Sequence, residues 1–408
     1  MQKVYPVFRT ATAIFLLLGI IFIPFPFHLI SFQESLTDIV FGKLIGTAAS
    51  SFFGIHLKET IVYSDSTSMY VLLFLLFVLS LIISFLLSNI RKWRQHEKSI
   101  LDFFSVLFCY YLILMLMKYG LDKVFKTQFY LPEPNTLYTP LGLIDKDLLY
   151  WTSMGTSRLY NIFTGSAEVL AALLLFFRRT RMAGLLLAAA SLIHVAAINF
   201  GFDISVKLYS LFLLAISLYL LVPYCRRLYS FFFTRLEVLP ALQQTGAVIK
   251  TRFLAVFAKC FVMGLIIFES LYPYLKESNF NDDTSKRPYL HGAYEVRQMI
   301  SGIDTLTSSG WPVKRFFVHR NGYLIFQDQQ DRMQDYKLSF DTGKYEYILT
   351  DYKSHSTIAR INYSEKDSIL ILRFNQEGKE QQLTGKALDW RKLAVLKKSF
   401  HWTVDDNK

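Results

Sequence analysis

Glu168 stands inside an apolar run from Tyr160 to Phe177, eight residues from its start. At 1.5 Å of rise per residue a helix would place it roughly 12 Å deep. A carboxylate at that depth must be neutral or paired. It can relay a proton, hold a polar group of a ligand, or simply hydrogen-bond to a neighbouring helix. Thr164, Gly165, Ala171 and Ala172 share its helical face. Small residues let helices approach closely, so Glu168 is expected to face other helices and not lipid. His194 lies near the end of the next apolar run, roughly 8 Å deep, with Ser191 one turn back on the same face. A Glu168–His194 pair across adjacent antiparallel helices is one reading; a lone hydrogen-bonded histidine is the other. His28 is the other histidine in an apolar run, an arrangement poorly suited to a bis-histidine haem.

A second polar group interrupts the stretch AAINFGFDISVKLYSLFLL, where Asn199, Asp203 and Lys207 separate two apolar runs. Asp203 and Lys207 are four apart, the spacing of an ion pair on one helical face. Asp203 can also cap the following helix and meet the positive end of its dipole. The rival reading is a polar lid at the outer mouth of a cavity. Lys118 and Lys123, at the end of another run, would join it above the Glu168 region.

No catalytic set is visible. The polar C-terminal part has no paired catalytic carboxylates, no GxSxG and no metal-ligand spacing. His291, His319, His355 and His401 are scattered there and read as surface or turn residues. Cys109, Cys225 and Cys260 form no CxxC, so no thiol-exchange motif is present. Neither a metal nor an evident cofactor is expected, and whether the chain is an enzyme stays open.

The elements that must position these residues follow from composition. The 408-residue chain is 52% hydrophobic and 19% charged, with a mean hydropathy of +0.30, values of an integral membrane protein. The formal charge is +12. Its basic residues cluster beside apolar runs, which is a topology signal and not a nucleic-acid footprint. Seven runs approach the ~20 residues that cross a bilayer: 11–30, 69–90, 100–117, 160–177, 182–199, 208–224 and 253–275. The first is read as an uncleaved span, because Pro24, Pro26 and bulky phenylalanines replace a small-residue cleavage site. Lys3 and Arg9, RKWRQHEK, RRTR and CRRLYSFFFTR fall on one side if all seven cross. The positive-inside rule makes that side the cytoplasm. The segment from Lys118 to Arg158 breaks the rule with five basic residues, interspersed with Asp122, Glu133, Asp145 and Asp147. From His291 the sequence reads as short antiparallel strands. YEVRQMI opens them; RFFVHRNGYLIFQ carries an Asn-Gly hairpin signal, YKLSFDTGKYEYIL an Asp-Thr-Gly turn, and TIARINYSEKDSILILRF and QQLTGKAL continue them. The expected architecture is a mainly α transmembrane bundle of about seven spans followed by a small antiparallel β domain. Its parts are a two-span region (1–98), a four-helix core (99–226), a connector with the seventh span (227–275) and an extracytoplasmic β-rich domain (276–408).

MKYGLDKVFKTQF, WTSMGTSRLYNIFTGSAEVLAALLLFFRRTRMAGLLL and AINFGFDISVKLYSLFLL together resemble the DoxX-like family of bacterial membrane proteins, in its longer, Bacteroidota-type form. The resemblance covers roughly 110–224. The order Gly165, Glu168, Arg178-Arg179, Asn199, Asp203 and Lys207 carries it. The ending KKSFHWTVDD resembles the motif that closes the longer members, with Lys398-Ser399 where they have Arg-Gly. The resemblance implies a four-helix membrane core in the bacterial inner membrane and a periplasmic C-terminal domain. Named members are linked to respiratory or redox complexes that pass electrons to quinone. Three functions stay open. One is a redox-associated subunit that holds a quinone-like or lipid-like molecule near Glu168 and His194. Another is a scaffold or assembly factor whose β domain binds an envelope protein. The third is a proton-coupled transporter, although repeated halves and paired broken helices are not visible.

Overall fold

The structure is a computed structural model that describes residues 4–29, 32–233, 251–302, 304–306, 312–376, 378–397 and 402–403. KKSFHWTVDD, with His401, falls mostly outside them. The chain divides into two compact units. One is Met1–Gln128 with Leu159–Phe280; the other is Phe129–Arg158 with Asn281–Lys408. Residues 129–158, expected inside the 99–226 membrane core, thus cluster with the C-terminal β domain.

The described helices, in chain order, are α1 (Val4–Phe22), α2 (Gln33–Phe53), α3 (Thr67–Ser88), α4 (Arg91–Val124), α5 (Pro134–Leu137), α6 (Lys146–Thr156), α7 (Arg158–Phe176), α8 (Arg181–Gly201), α9 (Lys207–Leu221), α10 (Cys225–Phe233) and α11 (Arg252–Glu277). Seven segments are long and apolar enough to cross a membrane: α2, α3, α4, α7, α8, α9 continued by α10, and α11. A shorter apolar helix, α1, joins them. The protein is therefore a multi-pass membrane protein. The first run stops at Phe22 and not at Ile30, since Pro24 and Pro26 cannot continue the helix.

No apolar run marks α2, whose Glu34, Asp38 and Lys43 dilute its apolar character. Its placement is informative. α1 and α3 are antiparallel: Ser84 Oγ donates to the Val7 carbonyl at 2.7 Å, and Phe15 packs edge-on to Phe77. α2 begins at the last turn of α1. There Gln33 Nε2 donates to the carbonyls of Ile20 and Ile21, and Thr37 Oγ1 to that of Phe22. It finishes with Phe52 and Phe53 on Phe74, in the first third of α3. Both ends of α2 thus contact the same end of the α1–α3 pair. The helix lies across that end and does not carry the chain to the other one.

We call the end where α1 starts the near end, and the end where it finishes the far end. α4 runs parallel to α1, with Thr10 bonded to Glu97 at the near end and His28 close to Lys118 at the far end. Gly165 of α7 meets Gly120 of α4 near the far end, and the Leu175 carbonyl faces Cys109 further down. α7 therefore runs back toward the near end. The bundle core holds Leu16, Leu72, Leu76, Phe108, Leu112, Leu175 and Ile216, all essentially without exposed surface. At the Gly120–Gly165 crossing a Cβ on Gly165 would sit 2.5 Å from the Gly120 carbonyl oxygen. The two backbones touch there because neither residue has a side chain.

The second unit is a closed antiparallel barrel. Its strands are β1 (Gly292–Ser301), β2 (Asp304–Leu306), β3 (Arg315–His319), β4 (Tyr323–Gln327), β5 (Met333–Asp341), β6 (Glu346–Thr350), β7 (Ser356–Ser364), β8 (Ile369–Gln376) and β9 (Lys379–Leu388). β1 and β3 to β9 pair in sequence, and β9 returns to β1; β2 is appended to β1. The strands sit where alternation and turn residues put them. Asn321-Gly322 closes the β3–β4 hairpin, with Gly322 in the left-handed region at φ 71°. In the β5–β6 turn Gly343 is not in the left-handed region; Tyr345 is, at φ 54°. Asp341 instead fixes that turn by accepting from the amides of Gly343 and Lys344. Tyr294, Phe316, Val318, Tyr347, Leu370 and Leu372 fill the interior. β1, β3 and β4 are also covered outside, where Ala293, Phe317 and Ile325 pack with Trp390, Leu131, Leu137 and Tyr138. That second cover explains the unbroken apolar FFV in RFFVH.

Candidate functional site

The polar residues of the helical unit converge on the last turns of α4. The glycine crossing sets their geometry. Lys123 follows Gly120 by three residues and Glu168 follows Gly165 by three. Lys123 Nζ lies 2.6 Å from both carboxylate oxygens of Glu168, and both side chains are buried. One turn earlier on α4, Lys118 Nζ lies 2.9 Å from Glu269 Oε1 of α11. Glu269 also accepts from the backbone amides of His28 and Leu29, at 2.8 and 2.9 Å, and its Oε1 is 3.3 Å from His28 Nδ1. A single buried carboxylate thereby ties α4, α11 and the segment after α1 together. Between the two lysines, Asp122 Oδ1 accepts from the Tyr274 hydroxyl of α11 at 2.6 Å. The two lysines are tolerated at such depth because each has a carboxylate partner, and Glu269 has two backbone amides besides.

The seven candidate residues from the sequence do not form one constellation. Glu168 and Lys123 meet directly. Lys118 belongs to Glu269. Asn199 is buried and bridges the α8–α9 turn, its Nδ2 donating to the Val206 carbonyl at 3.3 Å. Asp203 pairs with Lys207 at 2.7 Å, as the spacing predicts, but its side chain is 83% exposed. Asp203 is not the helix cap. The amides of Lys207 and Leu208 donate instead to Asp65, at 2.8 and 3.0 Å. His194 is on the exposed face of α8 and is not brought to Glu168. The basic residues that broke the loop-charge rule are also accounted for in part, since Lys118 and Lys123 are inside α4 with acidic partners.

Sequence reasoning missed Glu269, Asp122 and Asp65. Glu269 carried the same signal as Glu168, a lone acid in the apolar run LIIFESLY. Also missed was a cluster in the second unit. Glu133 Oε2 is 2.8 Å from His291 Nε2, both almost fully buried, and accepts from the Arg320 amide at 3.2 Å. Asp282 takes the Arg320 guanidinium in a fork at 2.6 and 2.7 Å, and Arg287 at 3.0 Å. Burial pushes the Glu133 carboxyl up, but the His291 hydrogen bond, the nearby histidines and the Arg320 amide outweigh it and leave it below its ordinary value. Burial acts on Asp282 in the same way, and Arg320 and Arg287 reverse it. The His319 ring, mainly through burial, is held below its ordinary value. These contacts brace residues 129–144 and 281–291 against the barrel. Among the described residues no group of three or more His, Cys, Asp or Glu has the arrangement of a metal site.

No protein-family model matches the chain, and no solved structure does. A stretch of 71 residues is 38% identical to part of the uncharacterized protein YwoB of Bacillus subtilis (strain 168). The match takes in 17% of this chain and 46% of that protein, so the chain spans about half the length of the curated relative it matches. The name of that relative assigns no activity.

Proposed function

We propose that the protein is a scaffold of the bacterial cytoplasmic membrane, a DoxX-like protein whose barrel engages a protein partner on the outer side. The observation that carries this reading is how the helices use their ionisable residues. Lys123–Glu168 and Lys118–Glu269 are short, buried pairs between helices. Each fixes the register of α4 against a partner helix, a structural use of charge. A relay or ligand site needs a group whose partner can leave. Glu269, held by two backbone amides and a lysine, is poorly placed for that. The barrel adds support. Phe316, Tyr347, Leu370 and Leu372 fill its interior without exposed surface, as in small barrels that hold no ligand. Recognition then falls to its outer surface.

The orientation follows from charge. Arg9, Arg91, Lys92, Arg94, Lys98, Arg178, Arg179 and Arg181 belong to near-end segments, and the positive-inside rule favours a cytoplasmic near end. Since α2 does not change ends, the passes alternate so that the barrel follows from the outer side. The rival redox reading has less support, because Glu168 is taken by Lys123 and His194 faces away.

A phosphatase fused after Lys408 is expected to be active, and a fluorescent protein that matures only in the cytoplasm dark. For the partner, photo-reactive residues at Tyr352 and Ile358, both exposed on the barrel, are expected to give one discrete cross-linked protein in native membranes. Stoichiometric quinone in an organic extract of the purified chain, with no cross-link, would overturn the scaffold reading.

A further inference from the structure

The near end of the helical unit contains a cavity of about 1300 Å³. Among the described residues its lining carries five arginines, Arg9, Arg178, Arg179, Arg181 and Arg227, and one carboxylate, Asp102. Arg9 comes from α1, Arg178 and Arg179 from the α7–α8 turn, Arg181 from α8 and Arg227 from α10. Residues far apart in sequence are therefore gathered around one space, which a single basic loop would not do. The rest of the lining is largely apolar, with Leu185, Ala215, Leu218 and Val222 among its residues. Within this lining the Arg181 Nε is buried and makes no hydrogen bond. An N–H shielded from water without an acceptor is costly, and an anion in the cavity would remove that cost. Beside it, α10 exposes Phe231, Phe232 and Phe233 and carries Arg226 and Arg227. Exposed aromatics with arginines on one short helix are the composition of a segment lying at the membrane surface. With α10 at the surface, the mouth of the cavity would open at headgroup level.

We propose that this cavity is a binding site for a phosphate-bearing amphiphile. The phosphate sits among the arginines, whose planar forks match its oxygens, and the hydrocarbon tail lies along the apolar wall. Basic pockets between transmembrane helices recognise anionic headgroups by this chemistry. Two sources share it: an anionic phospholipid of the adjoining leaflet, or a soluble phosphate ester that needs only the arginine rim.

The test uses the full chain in uncharged detergent. Phosphatidylglycerol, phosphatidylcholine, oleate and inorganic phosphate are titrated separately, and binding is read by native mass spectrometry and by the rise in melting temperature. Saturable binding of phosphatidylglycerol, above phosphatidylcholine and oleate, is expected. The double substitution Arg178→Gln/Arg179→Gln, at exposed positions, is expected to weaken it about tenfold, the scale of one lost charge-assisted hydrogen bond. Arg181→Gln tests the buried donor, and Arg181→Lys, which keeps the charge, should recover part of the loss. The melting temperature without lipid shows that each variant is folded. Inorganic phosphate binding with the same arginine dependence, and no preference for the lipid, would assign the site to a soluble phosphate ester. Oleate binding as tightly as phosphatidylglycerol, unchanged affinity in the folded variants, or no saturable binding would overturn the proposal.

Discussion

At the far end of the helical unit, Lys118 and Lys123 are each buried against a carboxylate from another helix. At the near end, arginines from several helices surround an open cavity with Asp102 as the acidic residue in its described lining. The same kind of charge does different work at the two ends. A buried lysine with a fixed carboxylate is part of the fold, because removing either partner strands the other in a medium that cannot solvate it. Arg178 and Arg179, exposed on the cavity rim, are expected to cost little when changed, because water already solvates their charge.

The sharpest break of that comparison is Lys123→Met. It leaves Glu168 buried without its cation, and is expected to cost about 3–5 kcal/mol. Glu168→Leu should do the same to Lys123. The double substitution should lose less than the sum, because no charge is then stranded. Reversible unfolding of the full chain in mixed micelles, followed by circular dichroism, measures all three. Arg178→Gln in the same assay should stay within about 0.5 kcal/mol. If Lys123→Met were as silent as Arg178→Gln, the two ends would not differ and the ion pair would be incidental.

Gly165→Val tests what brings the pair together. Its new side chain would meet the Gly120 carbonyl oxygen and force α4 and α7 apart, with an expected cost of about 1–3 kcal/mol. The effect should shrink in a Lys123→Met/Glu168→Leu background, since the crossing then has no ion pair to hold in register. Full additivity would show that the pair does not depend on the glycines.

The second unit offers a different contrast, with buried charges outside the membrane region. Glu133 and Asp282 are held below their ordinary values when folded. Their contribution to stability is present above those ordinary values and is lost as the pH falls toward the folded ones. His319 is also held low, from an ordinary 6.5, so the unfolded chain takes up its proton first. Stability should therefore decline as the pH falls below about 6.5 and more steeply once the carboxylates begin to protonate. Hydrogen exchange in peptides from β1, β3 and β4 of the full chain reads this. Glu133→Gln should raise exchange at neutral pH and flatten the acidic limb. An unchanged acidic limb would remove Glu133 from the brace.

How far these features were legible in the sequence differs between the units. The strands showed themselves, since alternation in YEVRQMI and the Asn-Gly between RFFVH and YLIFQ are local signals with a fixed geometric meaning. Seven of the helices, α1, α3, α4, α7, α8, α9 and α11, showed themselves as apolar runs. α2 did not, because Glu34, Asp38 and Lys43 break its hydropathy and the helix lies across one end of its neighbours. Within the site, Glu168 and Lys123 were both singled out, yet Lys123 was expected in a lid above Glu168 and it touches the carboxylate. Glu269 was overlooked as the partner of Lys118. Residue type and depth can be counted along a chain. Which two helices face each other, and by what rotation, depends on close contacts such as Gly120 on Gly165, and periodicity does not contain them. The brace of Glu133 on His291 was hidden for the same reason, as 158 positions separate its members.

The smallest effects decide what Asp203 does. Spacing alone offered two roles, cap and ion pair, and the structure separates them. Asp65 accepts from the first two amides of α9 from 142 and 143 positions away. Asp65→Ala should therefore remove a helix cap and destabilise by roughly 1 kcal/mol. Asp65→Asn should be milder, because an amide oxygen can still accept. Asp203 faces water beside the largely covered Lys207, which also lies 4.0 Å from Asp65, and a pair with one solvated partner gains little over separate solvation. Asp203→Asn should leave the melting temperature within the scatter of surface substitutions, and the same change in an Asp65→Ala background should add nothing. If Asp203→Asn instead matched Asp65→Ala, the exposed pair would be part of the far-end scaffold. The distinction between buried, fixed charge and solvated charge would then fail at the residue where it is most finely drawn.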